Sequence, residues 1–329
     1  MRKWLVILVV AAQLGALAFM AGSREWIRRY GRTIYLRTAP VDPRDAFRGD
    51  YVRLDYEIGR VRTNLCRDVL PTAVQGRVRR GTEVYASLRL REDGTVDVQS
   101  LTAGRPDTGL FLYGRTDAYY GGRQVPVRYG VEAYFVQQGQ GSELERARPR
   151  DGVQIPLEME VAVSPSGTAV LKGHRWGPLG MGITLQTDTN RLTRGVVITL
   201  QNASTQALTI VDLPAGRSFR LEADELRAWG SDDWRWVEAG TPRAAPDANA
   251  LRVLKPGESC TVTLDFTRPE WYVVKAGDKP KPLAQTGWSG WFRLVYAPPT
   301  AAECAALQPA APIWHGELLS RAFGGGRVD

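Results

Sequence analysis

Five carboxylates lie close together in the chain: Asp42, Asp45, Asp50, Asp55 and Glu57. Such a cluster could hold a hard cation through oxygen ligands, or divide into an acid and a base for proton transfer. Arg44, Arg48 and Arg53 are interleaved with these acids. Helix capping, turn formation and Arg–carboxylate pairing account for all five without any reaction, and this structural reading is the stronger one. Other chemistry is sparse. The chain has two histidines, His174 and His315, and neither stands in an H-E-x-x-H pattern; G-x-S-x-G and P-loop signatures are also missing. The glycines around residues 177–182 lack the strand-and-helix context of a dinucleotide fingerprint. No cofactor and no metal is therefore implied. Cys66, Cys260 and Cys304 are an odd set without a C-x-x-C pair and build no disulfide framework. A Cys260–Cys304 bridge is open in an oxidising compartment, but unpaired, partly buried thiols are the favoured reading. Trp234 and Trp236 stand two apart beside Asp232-Asp233 and are candidates for an exposed aromatic patch that binds glycan or protein; core packing is the competing and stronger alternative.

The carboxylates are positioned by a short helical turn followed by a strand. Asp42 is a good N-cap, Pro43 suits the first helical position, and Asp45 favours the first turn, so one turn is expected before Gly49 ends it. Gly49-Asp50 opens a strand over residues 51–58. With a period of two, Val52, Leu54, Tyr56 and Ile58 face the core, while Tyr51, Arg53, Asp55 and Glu57 face solvent or a site. Short β-branched and aromatic runs recur at residues 33–37, 83–90, 96–101, 110–112, 125–129, 133–136, 153–163 and 169–172, which predicts an antiparallel β-domain. Ser142 and Glu145 form a capping-box pattern, so a helix is expected at residues 142–147.

The Gly/Pro-rich stretch 174–180 marks a composition shift, and the domain boundary is placed at Gly182. Beyond it, further short strands include residues 195–200, 208–211, 218–221, 251–254, 259–266, 288–296 and 313–319. Residues 196–202, 254–259 and 290–296 resemble strands of an immunoglobulin-like sandwich, although the Cys–Trp–Cys hallmark of antibody domains is absent. The predicted class is mainly β, arranged as segment 1–22, a β-domain at 23–182 and an immunoglobulin-like domain at 183–329.

Gly49-Asp50-Tyr51-Val52-Arg53-Leu54-Asp55-Tyr56 resembles, without departure, the motif that names the bacterial GDYXXLXY proteins. The flanks are also similar to that family, with Leu36-Arg37-Thr38-Ala39-Pro40-Val41-Asp42-Pro43-Arg44-Asp45 upstream and residues 127–136 downstream. The resemblance covers roughly residues 33–172. It implies a short membrane-anchored protein and assigns no activity; the motif residues it marks are Arg48, Gly49, Asp50, Tyr51, Leu54 and Tyr56. Arg48-Gly49-Asp50 is also faintly similar to strands of membrane-anchored signal peptidases, but no Ser/Lys pair stands in matching context.

Ahead of this domain, Met1-Arg2-Lys3 precedes an uncharged run over residues 4–22 whose one strongly polar member is Gln13. At 1.5 Å per residue it is about 28 Å long, enough for the hydrocarbon layer of a bilayer. Trp4, Trp26 and Tyr30 suit the two interfaces. The run exceeds a signal-peptide core, so an uncleaved single-pass anchor is favoured over cleavage near Ala21-Gly22-Ser23. The basic start argues for an inside N-terminus, and Arg24, Arg28, Arg29 and Arg32 argue the reverse. Long domains cross largely regardless of charge, so the domains are expected outside the cytoplasm. The net charge is +8, spread among acids with no basic aromatic stripe, which excludes nucleic acid as the natural partner. The expected partners are the membrane itself and another membrane or envelope protein.

Overall fold

A computed structural model describes residues 2–38, 51–69, 79–117, 124–135, 152–224, 234–237, 243, 245–275 and 277–325. The apolar run lies within helix α1 (Arg2–Tyr30). Its residues Val6–Tyr30 are long and apolar enough to cross a membrane, and none of that span is buried in the protein. One residue, Gly31, separates α1 from the first strand.

The rest is mainly β. In chain order the strands are β1 (Arg32–Arg37), β2 (Tyr51–Arg53), β3 (Arg60–Arg62), β4 (Glu83–Leu90), β5 (Val96–Thr102), β6 (Phe111–Thr116), β7 (Gln124–Arg128), β8 (Ala133–Phe135), β9 (Val153–Gln154), β10 (Leu157–Val163) and β11 (Ala169–Trp176). They are followed by β12 (Leu179–Thr187), β13 (Thr193–Asn202), β14 (Leu208–Val211), β15 (Phe219–Ala223), β16 (Arg235–Trp236), β17 (Leu251–Leu254), β18 (Ser259–Asp265), β19 (Tyr272–Val274), β20 (Lys281–Pro282), β21 (Trp291–Tyr296), β22 (Leu318–Leu319) and β23 (Phe323–Gly324). Pro156 explains why the single run expected over 153–163 is two strands, because proline cannot donate to a ladder. The helix expected at 142–147 and the turn expected at 42–48 lie outside the described residues.

The chain forms two compact units. The first holds the described residues up to 135 together with Glu158–Arg175; the second holds 152–157 and everything from Trp176 on. The expected boundary at Gly182 is thus displaced, since Gly182 lies inside β12, paired with both β9 and β13. Glycine is there for close approach and does not mark a linker. A β-carbon on Gly182 would stand 2.9 Å from the Gly152 carbonyl oxygen, and one on Gly180 would stand 2.8 Å from Val153 Cγ1.

In the first unit the sheets run β1-β10-β11, β2-β8 and β3-β7-β6-β4-β5. Register places Ile34 opposite Val161 and Leu36 opposite Met159, all fully buried on one face of the first sheet. The other face carries charge. Arg37, opposite Glu158, donates to Glu158 Oε1 at 3.3 Å and to Asp93 Oδ2 at 3.2 Å. Arg175 Nε donates to Glu158 Oε2 at 2.7 Å, its guanidinium donates to the Asp93 carbonyl at 2.6 Å, and its Cζ sits 3.5 Å from the centre of the Tyr35 ring. Asp93 also accepts from the amide and hydroxyl of Thr95, which fixes the β4–β5 turn. Two arginines and two carboxylates therefore neutralise one another where β1, β10, β11 and that turn meet. Beside the same turn, Asp97 of β5 pairs with Arg89 and Arg91. Burial opposes its ionisation, but the hydrogen bonds and charges of those arginines prevail and hold its carboxyl below the usual range.

In the second unit the sheets run β18-β13-β12-β9 and β15-β21-β22, with β23 also on β21, beside the pairs and triplet β14-β17 and β16-β19-β20. Met181, Ile183, Val196, Ile198 and Leu200 share one core with Phe219, Leu221, Phe292, Leu294 and Tyr296. The Tyr296 hydroxyl, deep in that core, accepts from the Val211 amide and donates to the Val211 carbonyl, each at 3.0 Å.

Glu158 is 1% exposed and Arg37 6%. Removing one member of a buried charge network leaves the other uncompensated, which typically costs about 3–5 kcal/mol. Glu158→Ala is therefore expected to lower the unfolding free energy of the first unit by that amount in urea titrations of the detergent-solubilised chain. A loss below about 1 kcal/mol would show that the network is not buried in solution.

Candidate functional site

The motif strand is positioned by the segment that resembles the family's downstream flank. β2 pairs antiparallel with β8, with Tyr51 opposite Phe135, Val52 opposite Tyr134 and Arg53 opposite Ala133. The pairing continues as the Leu54 amide donates to the Glu132 carbonyl at 2.8 Å. The chain then leaves the ladder: Tyr56 bridges to Thr38, and Glu57–Gly59 form a single 3-10 turn. The strand expected over 51–58 therefore ends at Arg53, yet the expected alternation survives it. Leu54, Tyr56 and Ile58 are buried, while Asp55 and Glu57 are partly exposed.

Two tyrosines close this junction reciprocally. Tyr56, in the motif, donates its hydroxyl to the Val131 carbonyl at 2.7 Å. Tyr129, in the downstream flank, donates to the Ile58 carbonyl at 2.8 Å. All four residues are buried. Glu132 holds the intervening turn, its carboxylate accepting from the Tyr129 amide at 2.5 Å and the Gly130 amide at 3.0 Å, with Gly130 at φ 79°. Burial, reinforced by the nearby Glu132 charge, pushes both phenols far above their ordinary range. They are fixed neutral donors and are not poised as acids or bases. The upstream flank joins through the Thr38–Tyr56 bridge, so all three segments of the family pattern meet at one place.

The family model of the GDYXXLXY protein matches residues 13–173, just under half of the chain. Residues 13–173 belong to the GDYXXLXY family. No curated protein and no solved structure matches the chain.

Within this GDYXXLXY region the proposed carboxylate cluster is only partly in view. Asp42, Asp45, Arg48, Gly49 and Asp50 lie outside the described residues, as do the side chains of Tyr51, Val52 and Arg53. Asp55 is bound to Arg60 at 2.9 Å, with both side chains nearly half exposed. Among the described residues no group of three His, Cys, Asp or Glu side chains could hold a metal ion. On the surface beside the motif strand, Tyr134 Oη lies 3.1 Å from His174 Nδ1. No local pattern marks this pair, since its members are 40 residues apart.

The candidates of the second unit turn inward. Trp234 is 5% exposed, with Lys281 Nζ 4.8 Å from its ring centre. Trp236 is stacked on Trp271 at 6.1 Å and donates its indole N–H to the Glu270 carbonyl. Trp234 and Trp236 therefore do not form an exposed patch, because the core gains more from burying such large apolar rings than the surface does from displaying them. A cleft of about 750 Å³ opens between the β17 and β18 edges, lined by residues including Asp212, Arg252, Asp265, Glu270 and Trp271. Its acids are largely committed: Asp212 to Arg252, and Asp265 to the amide and hydroxyl of Thr267.

The cysteines are unbridged: Cys66, Cys260 and Cys304 are all free thiols. Burial pushes Cys66 and Cys260 up to about 11, which leaves little thiolate for nucleophilic chemistry at neutral pH.

If the motif acts through its junction, its acids should differ sharply in weight. Glu132→Ala is expected to cost about 1–3 kcal/mol, the usual penalty for losing hydrogen bonds to a charged acceptor. Asp55→Ala should change stability by no more than about 0.5 kcal/mol, as expected of an exposed ion pair. Thermal melts of the two variants read this directly, and a larger loss for Asp55→Ala would reverse the assignment.

Proposed function

We propose that the protein is a single-pass, membrane-tethered module whose β-units stand outside the cytoplasm and serve a structural or interaction role in a membrane or envelope assembly. The observation that carries this reading is the continuity of the chain: a helix long and apolar enough to span a bilayer enters β1 of the GDYXXLXY region after one residue. The motif side chains in view are spent on internal structure. Tyr56 and Leu54 are buried, Asp55 is ion-paired, and the tyrosine hydroxyls satisfy backbone carbonyls. The second unit, with opposed sheets around one core, is read as an immunoglobulin-like sandwich, an architecture that commonly presents surfaces for contact.

Two fractions and one fusion test the proposal. Full-length protein should resist alkaline carbonate extraction and keep its N-terminal segment, and alkaline phosphatase fused after Asp329 should be active. Release into the carbonate supernatant with a mature N-terminus near Arg24 would make α1 a removed signal. A retained but inactive fusion would place the domains on the cytoplasmic side.

A further inference from the structure

A flexible Gly/Ser-rich linker would hold a domain loosely and let it turn. Here the connection is one glycine with no room around it. The Gly31 amide donates to the Ile27 carbonyl at 2.7 Å, continuing the helical pattern past Tyr30. A β-carbon on Gly31 would lie 2.5 Å from that carbonyl oxygen, 3.0 Å from the Val163 carbonyl oxygen and 3.1 Å from Ala162 Cβ. The end of α1 is thus seated against the end of β10, with backbone atoms on both sides.

The strand order then decides what lies at the helix end. β1 leaves α1 and β10 returns toward it, bringing Val163 opposite Arg32. Beyond Val163 comes the tight turn 164–168, closed by the Ser164 amide on the Thr168 carbonyl and the Gly167 amide on the Ser164 carbonyl. Its exposed rim carries the linked hydroxyls of Ser164, Ser166 and Thr168. Arg105 reaches in to donate to the Pro165 carbonyl at 2.9 Å. Below the turn, residues 23–30 extend the helix by about 12 Å past the apolar run, against the roughly 5–8 Å depth of one head-group layer. Arg24, Arg28 and Arg29 lie in that stretch, with Glu25 engaging Arg28 and Arg29, and Arg32 begins the strand. Four cations face one anion along this collar.

We infer that Gly31 is a rigid elbow that holds the 164–168 turn, with Arg32 and Arg105, against a layer of anionic phospholipid head groups. Hydroxyls and guanidiniums are the donors that phosphate oxygens accept from, and each basic side chain near an anionic surface adds attraction that falls off within a Debye length. The inference rests on the membrane-tethered reading above and adds to it a fixed posture and a lipid contact.

The test uses the full chain in nanodiscs of equimolar phosphatidylcholine and phosphatidylglycerol doped with a head-group nitroxide lipid. With the native cysteines replaced by serine, a fluorophore is placed at Ser166→Cys or, as a control, at Glu92→Cys, beside the turn that meets the far end of β1, about 17 Å along the strand. Quenching of the Ser166 label is expected to exceed that of the Glu92 label several-fold. The excess should shrink by half or more in phosphatidylcholine alone, and should vanish when a six-residue Gly/Ser segment is inserted after Tyr30. Equal quenching at both positions in the uninterrupted chain would overturn the elbow, and an excess insensitive to lipid charge would overturn the anionic partner. A chain that fails to enter the discs at all would overturn the tether itself, which separates that failure from the other two.

Discussion

Wherever two chain segments cross inside a protein, the backbone carbonyls at the crossing must find donors, because leaving one dry and unpaired costs as much as several good contacts return. In this protein that constraint falls on Val131 and Ile58, and it is met by the hydroxyls of Tyr56 and Tyr129. Each tyrosine serves a carbonyl on the other's segment, so neither segment can be placed correctly without the other. The pairing of β2 with β8, the bridge from Tyr56 to Thr38 and the Glu132-supported turn all follow from that clasp.

The clasp also governs where charge is tolerated. Thr38 immediately follows β1, and β1 carries Arg37 into its buried network with Glu158, Asp93 and Arg175. The apolar face of the same strand, Ile34 and Leu36, fills the core opposite. One strand thus links the helix end, the hydrophobic core, the charge network and the motif. Disturbance at any of these points is expected to be felt at the others, since a packed interior gives little room for independent adjustment.

Much of this was legible in the sequence, and the exceptions have physical causes. The helix, strands such as β4 and β17, and the burial of Leu54, Tyr56 and Ile58 follow from local periodicity, which depends on near neighbours alone. The clasp and the charge network were not legible, since Arg37 and Glu158 are 121 residues apart and Tyr56 and Val131 are 75 apart. No local pattern encodes such partners. Gly180 and Gly182 misled in the opposite direction: a Gly/Pro patch reads as a linker, but here the missing side chains let β12 lie close against β9. The tryptophan pair allowed both a surface and a core reading, with core packing the stronger, and Trp234 is indeed inside.

The same clasp explains how the motif residues in view can matter without performing a reaction, because their polar groups are directed at the protein's own backbone. The most direct test removes one oxygen. Tyr56→Phe keeps the ring and its packing but strands the Val131 carbonyl, and it is expected to lower the unfolding free energy by about 1–3 kcal/mol, with Tyr129→Phe behaving alike through Ile58. Equilibrium urea unfolding of the full chain in detergent measures both. Unchanged stability in both variants would contradict the clasp as the organising contact, and doing so alongside a lost cellular phenotype would return the tyrosines to the list of groups that act on something else.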